Sequence, residues 1–425
     1  MNASPFNQRS APGAQPGGRL AKGARGSAMA AKAAMSLLLV MAWPVRAGTL
    51  AQALDQAWLR HPQAAAHAAR QAEAQAQGDL AAALTPAPPA LALSSLGDRF
   101  NANRGKREWE AEVAVPLWLP GQRSARQAQA RSAAVELEAR SLEQRLQIAG
   151  ELRAAWWQLA AARQAAALAA RRAGTARTLE ADVRRRFLAG ELPRVDANLA
   201  QAELLAAQAE ELDSRTVQLA AEQVWRNLTG TAAPAELDDV APPATATVSD
   251  AHPYLAAAAA TAQAARDKLR VAEATRGDAP ELALRVVRER GGHSERYANQ
   301  MGVTLKIPLG SAPRLRQETS AAQADLALAE TVLSRARQRL QLDADRARDE
   351  LAAAERQLAM AHQRRALAAD TLQLAEKSFA LGEADLQTLL RARAGAQEAE
   401  GAYGRIQLAR GAAQSRLHQA LGVLP

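Results

Sequence analysis

Residues 121–188 read GQRSARQAQARSAAVELEARSLEQRLQIAGELRAAWWQLAAARQAAALAARRAGTARTLEADVRRRFL, from Gly121 to Leu188. The stretch contains no proline and is crowded with Ala, Leu, Arg, Gln and Glu, the strongest helix formers. At about 1.5 Å per residue, one continuous helix over it reaches roughly 100 Å. No compact core covers a helix of that length, so it belongs to a long bundle, a coiled coil or a tube.

Working outward, the same element recurs. Pro116-Leu117 precedes this run, and Pro308-Leu309 precedes a second proline-free run from Arg314. Phe187, Gly190 and Glu191 at its far end return as Phe379, Gly382 and Glu383, and Gly230 returns as Gly422. Each of these pairs is 192 residues apart, while His61-Pro62 and His252-Pro253 are 191 apart. One spacing held over so many markers identifies a tandem duplication.

The first 28 residues are polar and without apolar period, which reads as disorder or as an unused upstream start, with Met1 and Met29 both possible initiators. From Met29, Lys32 is followed by the apolar run Ala33–Trp43 and then by Val45-Arg46-Ala47. This is the pattern of a secretory signal peptide cleaved near Ala47. The first 47 residues carry Arg9, Arg19, Lys22, Arg25, Lys32 and Arg46 and no acid, so the formal charge of +9 falls to +3 after cleavage. That removes most of the case for a nucleic-acid partner. There is no cysteine, hence no disulfide and no lipid-anchor cysteine.

Residues 50–84 predict one amphipathic helix, ended by Pro86, Pro88 and Pro89. Strand-like alternation follows in Leu91, Leu93 and Leu96, then in Trp109, Ala111, Val113, Val115 and Leu117 against Glu108, Glu110 and Glu112. The second half repeats it with Leu282, Leu284 and Val286, then Tyr297, Met301, Val303, Leu305 and Ile307 opposite Gln300, Thr304 and Lys306. One apolar and one polar face fit strands between lipid and water. Four strands close no barrel, and lipid tolerates no open sheet edge, so several copies must share one barrel.

Each long helix breaks at a Gly-Glu turn, at Gly190-Glu191 or Gly382-Glu383, and a return helix follows over about 194–229 or 384–421. The domain reading is therefore an extension with signal peptide at 1–47 and a first repeat at 48–230, with hairpin near 90–117 and helical hairpin at 121–229. A linker at 231–249 and a second repeat at 250–425 follow, the latter with hairpin near 281–308 and helical hairpin at 313–422.

With this duplication, the junctions Val115-Pro116-Leu117-Trp118-Leu119-Pro120-Gly121 and Ile307-Pro308-Leu309-Gly310, and the turns Phe187-x-x-Gly190-Glu191 and Phe379-x-x-Gly382-Glu383, the chain resembles the TolC family of outer-membrane efflux proteins over about residue 50 to the C-terminus. The Leu-Pro-Gly-Gln-Arg junction and brief strands look most like the channels of heavy-metal efflux pumps of the RND type. The resemblance implies a mainly α fold with a small membrane β-barrel: a homotrimer with a 12-stranded barrel, four strands per chain, above a trimeric α-helical barrel that crosses the periplasm. It also implies an outer-membrane location, a periplasmic adaptor and an inner-membrane pump as partners, and a passive duct that does no chemistry. Divalent metal cations are the expected cargo; organic-compound efflux and type I secretion are the alternatives.

The family's tip loops carry carboxylates that narrow the pore. Phe187, Gly190, Glu191, Asp196, Phe379, Gly382, Glu383 and Asp385 are accordingly the expected gate and adaptor contact, although the position matching Asp196 is Thr388, with Arg391 three residues on. Asp196 also reads as an ordinary acid favoured at a helix start. Glu108, Glu110 and Glu112 are the expected pore-lining residues of the barrel, or else a solvated strand face. The six histidines are scattered without metal-ligand spacing, Trp156-Trp157 reads as helix packing, and no catalytic or cofactor motif is present. A periplasmic adaptor would show one helical hairpin among many strands, and a filament would hold its heptads and leave the amphipathic strands unexplained.

Overall fold

The computed structural model describes residues 49–236, 247–309 and 312–425. The expected signal segment with its cleavage site, the middle of the 231–249 linker and Gly310 lie outside the described residues.

The single helix expected over 50–84 is two. α1 (Leu50–Arg60) stops at His61, and α2 (Pro62–Ala82) restarts with Pro62 in its first turn. Proline forces the residue before it out of the helical region, and His61 sits extended at ψ 135°. The His61 Nδ1 then accepts the amide of Gln63 at 3.3 Å and caps the new helix. His61 and His67, six residues apart, both meet the Trp58 ring, one stacked and one edge-on.

Beyond α2 come β1 (Ala90–Gly97) and β2 (Arg107–Pro116), then α3 (Gln122–Leu188) and α4 (Arg194–Thr229). The second half repeats this with α5 (Pro253–Ala274), β3 (Glu281–Arg290), β4 (Ala298–Lys306), α6 (Ala312–Ala380) and α7 (Leu386–Ala420). The long helices run unbroken for 67 and 69 residues, roughly 100 Å each. Among the described residues no helix is long and apolar enough to cross a membrane.

Each long helix packs along its return helix, and the interleaved charges staple the pairs. Arg172 of α3 meets Glu203 and Glu210 of α4, while Arg364 and Arg416 reach Glu398 and Glu350 between α6 and α7. The main apolar core lies where α1 crosses α3 and α4: Leu50, Leu54, Leu152, Leu159, Trp156 and Trp225, the two indoles edge-on at 5.9 Å. Close by, the buried Arg153 donates to Gln419 Oε1 at 2.8 Å and to the Val423 carbonyl at 3.1 Å. That ties α3 of the first half to the C-terminal end of the second.

The strands form one antiparallel sheet in the order β1-β2-β3-β4. Its ladder carries over into the helices through the prolines. The amide of Leu117, just past Pro116, donates to the Pro280 carbonyl at 2.7 Å, and the Trp118 indole donates to the Ala83 carbonyl. Gly121 takes φ 78° at the head of α3, and Gln122 reaches Thr275 beside it.

Candidate functional site: the hairpin tips and the two faces of the sheet

Both helical hairpins turn by the same mechanism. Gly190 and Gly382 stand at φ 79° and 77°, and the following amides, Glu191 and Glu383, reach back to the carbonyls of Arg186 and Ser378 at 2.9 Å. A left-handed residue with a bond spanning five residues is the Schellman end, which answers the orphan carbonyls of a finishing helix. Glu191 and Glu383 are exposed as a result.

The two tips are joined. Leu179 and Val183 of α3, Ala200 of α4, Phe379 of α6 and Leu386 and Leu389 of α7 form one buried cluster. The guanidinium of Arg186 lies 5.5 Å over the Phe379 ring. Phe187, the first-repeat counterpart of Phe379, is only half-buried and has no place in that cluster. The equivalent residues are therefore not equivalent in space.

The return helices also start differently. Asp385 caps α7, its carboxylate accepting the Thr388 amide at 2.8 Å; the Thr388 hydroxyl first, then this amide, with Arg391 nearby, hold its carboxyl below the usual aspartate value. In α4 the capping place is held by Pro193, which offers no side-chain acceptor, and Asp196 lies half-buried in the first turn. There it faces the positive end of the helix dipole.

The sheet sorts its side chains as the alternation demands. Leu91 is registered with Val113, Val113 with Leu284 and Leu284 with Val303; Leu93, Ala111, Val286 and Met301 form the next row. These side chains share one face, and all but Ala111 are exposed, from 40 to 75 %. The other face holds Glu108, Glu110, Glu112, Glu281 and Glu289 against Arg285 and Lys306, and Glu108, Glu110 and Glu112 are half-buried. An exposed apolar face and a more enclosed polar one make a sheet that is inside-out relative to a soluble protein. Glu110 pairs with Arg285 at 3.2 Å and Glu281 with Lys306 at 3.2 Å, both on the polar face. Leu96 is a correction: it is registered with Glu108 and so lies on the polar face, out of phase with Leu91 and Leu93.

Sequence reading missed one feature of this sheet. At its loop end the apolar face carries Arg107, Arg288 and Arg290, with Tyr297 beneath the last two at 4.7 and 5.0 Å. Its signal was present in the parity of Arg107 with Trp109, but the partner strand had to be registered before the cluster appeared. Among the described residues no group of three or more His, Cys, Asp or Glu is placed to hold a metal ion.

Comparison with known proteins accords with this geometry. Residues 247–423 match the family described as Outer membrane efflux protein. No curated protein sequence matches the chain. Among solved structures, the chain is similar to the outer membrane protein VceC from Vibrio cholerae, at 18% identity and TM-score 0.72, covering 88% of this chain and 96% of that one. It is also similar to the CmeC outer membrane channel of Campylobacter jejuni, at 14% identity and TM-score 0.70, covering 88% and 85%. The open-state MtrE outer membrane channel of Neisseria gonorrhoeae follows at 17% identity and TM-score 0.68, covering 88% and 88%. The fold is that of these channels.

Proposed function

We propose that this chain is the outer-membrane exit duct of a tripartite efflux system, passive and without catalytic chemistry. The single observation that carries this reading is the sheet. It turns an exposed apolar face one way and an acidic face the other, and β1 and β4 are its edges, unpaired among the described residues. Lipid requires every strand edge to be closed, and three copies of four strands make a 12-stranded barrel. The long helices of each copy then continue the tube by roughly 100 Å, enough to span the periplasm. The matched family and the channel folds above support the same reading.

In this arrangement Glu108, Glu110 and Glu112 line the lumen, and the joined tips around Gly190, Glu191, Asp196, Gly382, Glu383 and Asp385, with Phe187 and Phe379, form the periplasmic gate and the contact with an adaptor, behind which stands an inner-membrane pump. The polar strand face carries five carboxylates against two cations. A lumen with that excess concentrates cations. We infer divalent metal cations as the cargo class, delivered by a pump of the RND type.

Growth of a deletion strain across zinc, cobalt, cadmium, nickel and copper salts, beside dyes, detergents and antibiotics, tests both levels. Sensitivity to the divalent metals alone, restored by the intact gene, is the expected result. Sensitivity to organic compounds alone keeps the duct and overturns the cargo. Recovery of the mature protein as a soluble periplasmic species, rather than a detergent-stable trimer in the outer membrane, overturns the duct itself.

A further inference from the structure

We propose that the loop end of the apolar sheet face is a clamp for the phosphate groups of an anionic glycolipid in the outer leaflet. The proposal rests on the outer-membrane reading above. Arg107 is registered directly opposite Arg290, and Arg288 opposite Trp109, so all three guanidiniums project from the face that carries Leu91, Val113, Leu284 and Val303. Like charges directly opposite one another across a strand pair repel and destabilise it. The sheet nevertheless holds them there. The Asp98 carboxylate accepts the Arg104 and Gly105 amides at 2.7 and 3.2 Å, and the His293 amide donates to the Arg104 carbonyl at 3.2 Å. The two hairpin loops are thereby locked together just beyond the arginine pair.

Among the described residues no carboxylate pairs with this cluster. The carboxylates at the same level, Glu108 and Glu289, are registered with each other on the opposite face. The sheet's ion pairs, Arg285–Glu110 and Lys306–Glu281, are on that face too. Tyr297 supplies an aromatic surface to Arg288 and Arg290, and Arg290 Nε is enclosed with no acceptor among the described residues. Three forked cations above an apolar belt, with Trp109 and Tyr297 at the same height, match a lipid whose acyl chains lie along the belt and whose phosphates stand at its rim. A soluble anion would answer the charge but not the belt.

The test uses full-length protein purified in detergent, titrated with bisphosphorylated lipid A and followed by native mass spectrometry. Lipid A stripped of its phosphates and inorganic phosphate serve as the other two probes. The bisphosphorylated lipid is expected to bind most tightly, with inorganic phosphate unable to displace it. The variant R107Q/R288Q/R290Q is expected to bind it roughly a hundredfold more weakly, from about fivefold for each cation. R285Q, on the opposite face, is expected to leave that affinity unchanged. Removing like-charge opposition does not burden folding, so the trimer band and single-channel conductance of the triple variant report its integrity. Equal binding of the dephosphorylated lipid, or undiminished binding by the triple variant, overturns the clamp while leaving the channel standing. Displacement by inorganic phosphate assigns the cluster to soluble anions and overturns the lipid. A wild-type protein that neither inserts nor conducts overturns the channel reading beneath it.

Discussion

The guanidinium of Arg186 rests 5.5 Å above the ring of Phe379, joining two helical hairpins whose tips are 192 residues apart in sequence. The ring is 9% exposed and packs on Leu179 and Val183. Removing it leaves a cavity in the only core the tips possess among the described residues. Phe379→Ala should cost about 3 kcal/mol, and Phe187→Ala about half that, since the half-buried ring has less contact to lose. Thermal unfolding of the two variants in detergent reads the difference, and equal losses would contradict the asymmetry of the tips.

His252 gives the fold a pH dependence. Its Nδ1 accepts the Tyr254 amide at 3.1 Å and caps α5, and burial pushes its pKa below the ordinary 6.5. A proton on Nδ1 would end that hydrogen bond. The unfolded chain therefore binds a proton more readily than the folded one in the window just below pH 6.5. Stability from this residue is complete above about pH 6.5 and declines as pH falls toward the folded value. His252→Asn keeps a capping acceptor but does not titrate, so its unfolding midpoint should change less between pH 7 and pH 5 than that of the wild type.

Gly230 and Gly422 end the return helices at φ 78° and 74°, but their surroundings differ. A Cβ on Gly422 would lie 2.5 Å from the ring of buried His252, whereas one on Gly230 would meet the mobile end of Arg60 at 2.9 Å. Alanine at 230 should cost only the left-handed strain, about 1–2 kcal/mol. Alanine at 422 should cost clearly more, because the ring that caps α5 must shift as well. Unfolding midpoints of the two single variants provide the comparison.

If Glu108, Glu110 and Glu112 line the lumen, neutralising them should lower the preference for cations. The triple glutamine variant, reconstituted in a planar bilayer under a salt gradient, should show a reversal potential shifted toward zero. An unchanged reversal potential would place the three carboxylates outside the conducting path. Arg285 makes a second check: without it Glu110 loses its partner, and cation preference should rise.

Much of this architecture was legible from local rules. Proline-free runs of strong helix formers dictated the lengths of α3 and α6, the Gly-Glu pairs dictated their Schellman ends, and period-two alternation dictated which strand residues share a face. The slip at Leu96 was a failure to hold that period: its even number puts it with Glu108 rather than with Leu93. The break at His61 was also written locally, in the proline that follows it.

Local residue patterns were enough to give the elements, their duplication and the face each residue takes on its own helix or strand, since these depend on backbone sterics and on neighbours a few residues away. Tertiary structure alone decided that Arg107 stands opposite Arg290, that buried Arg153 reaches Val423, and that Phe379 is buried where its repeat partner Phe187 is not. Strand register turns on the offset between hairpins far apart in the chain, and a one-residue slip would send every side chain to the other face. Two halves with one pattern also cannot occupy one environment once they pack on each other. The contacts that separate them exist only between elements, where no periodicity within either can reveal them.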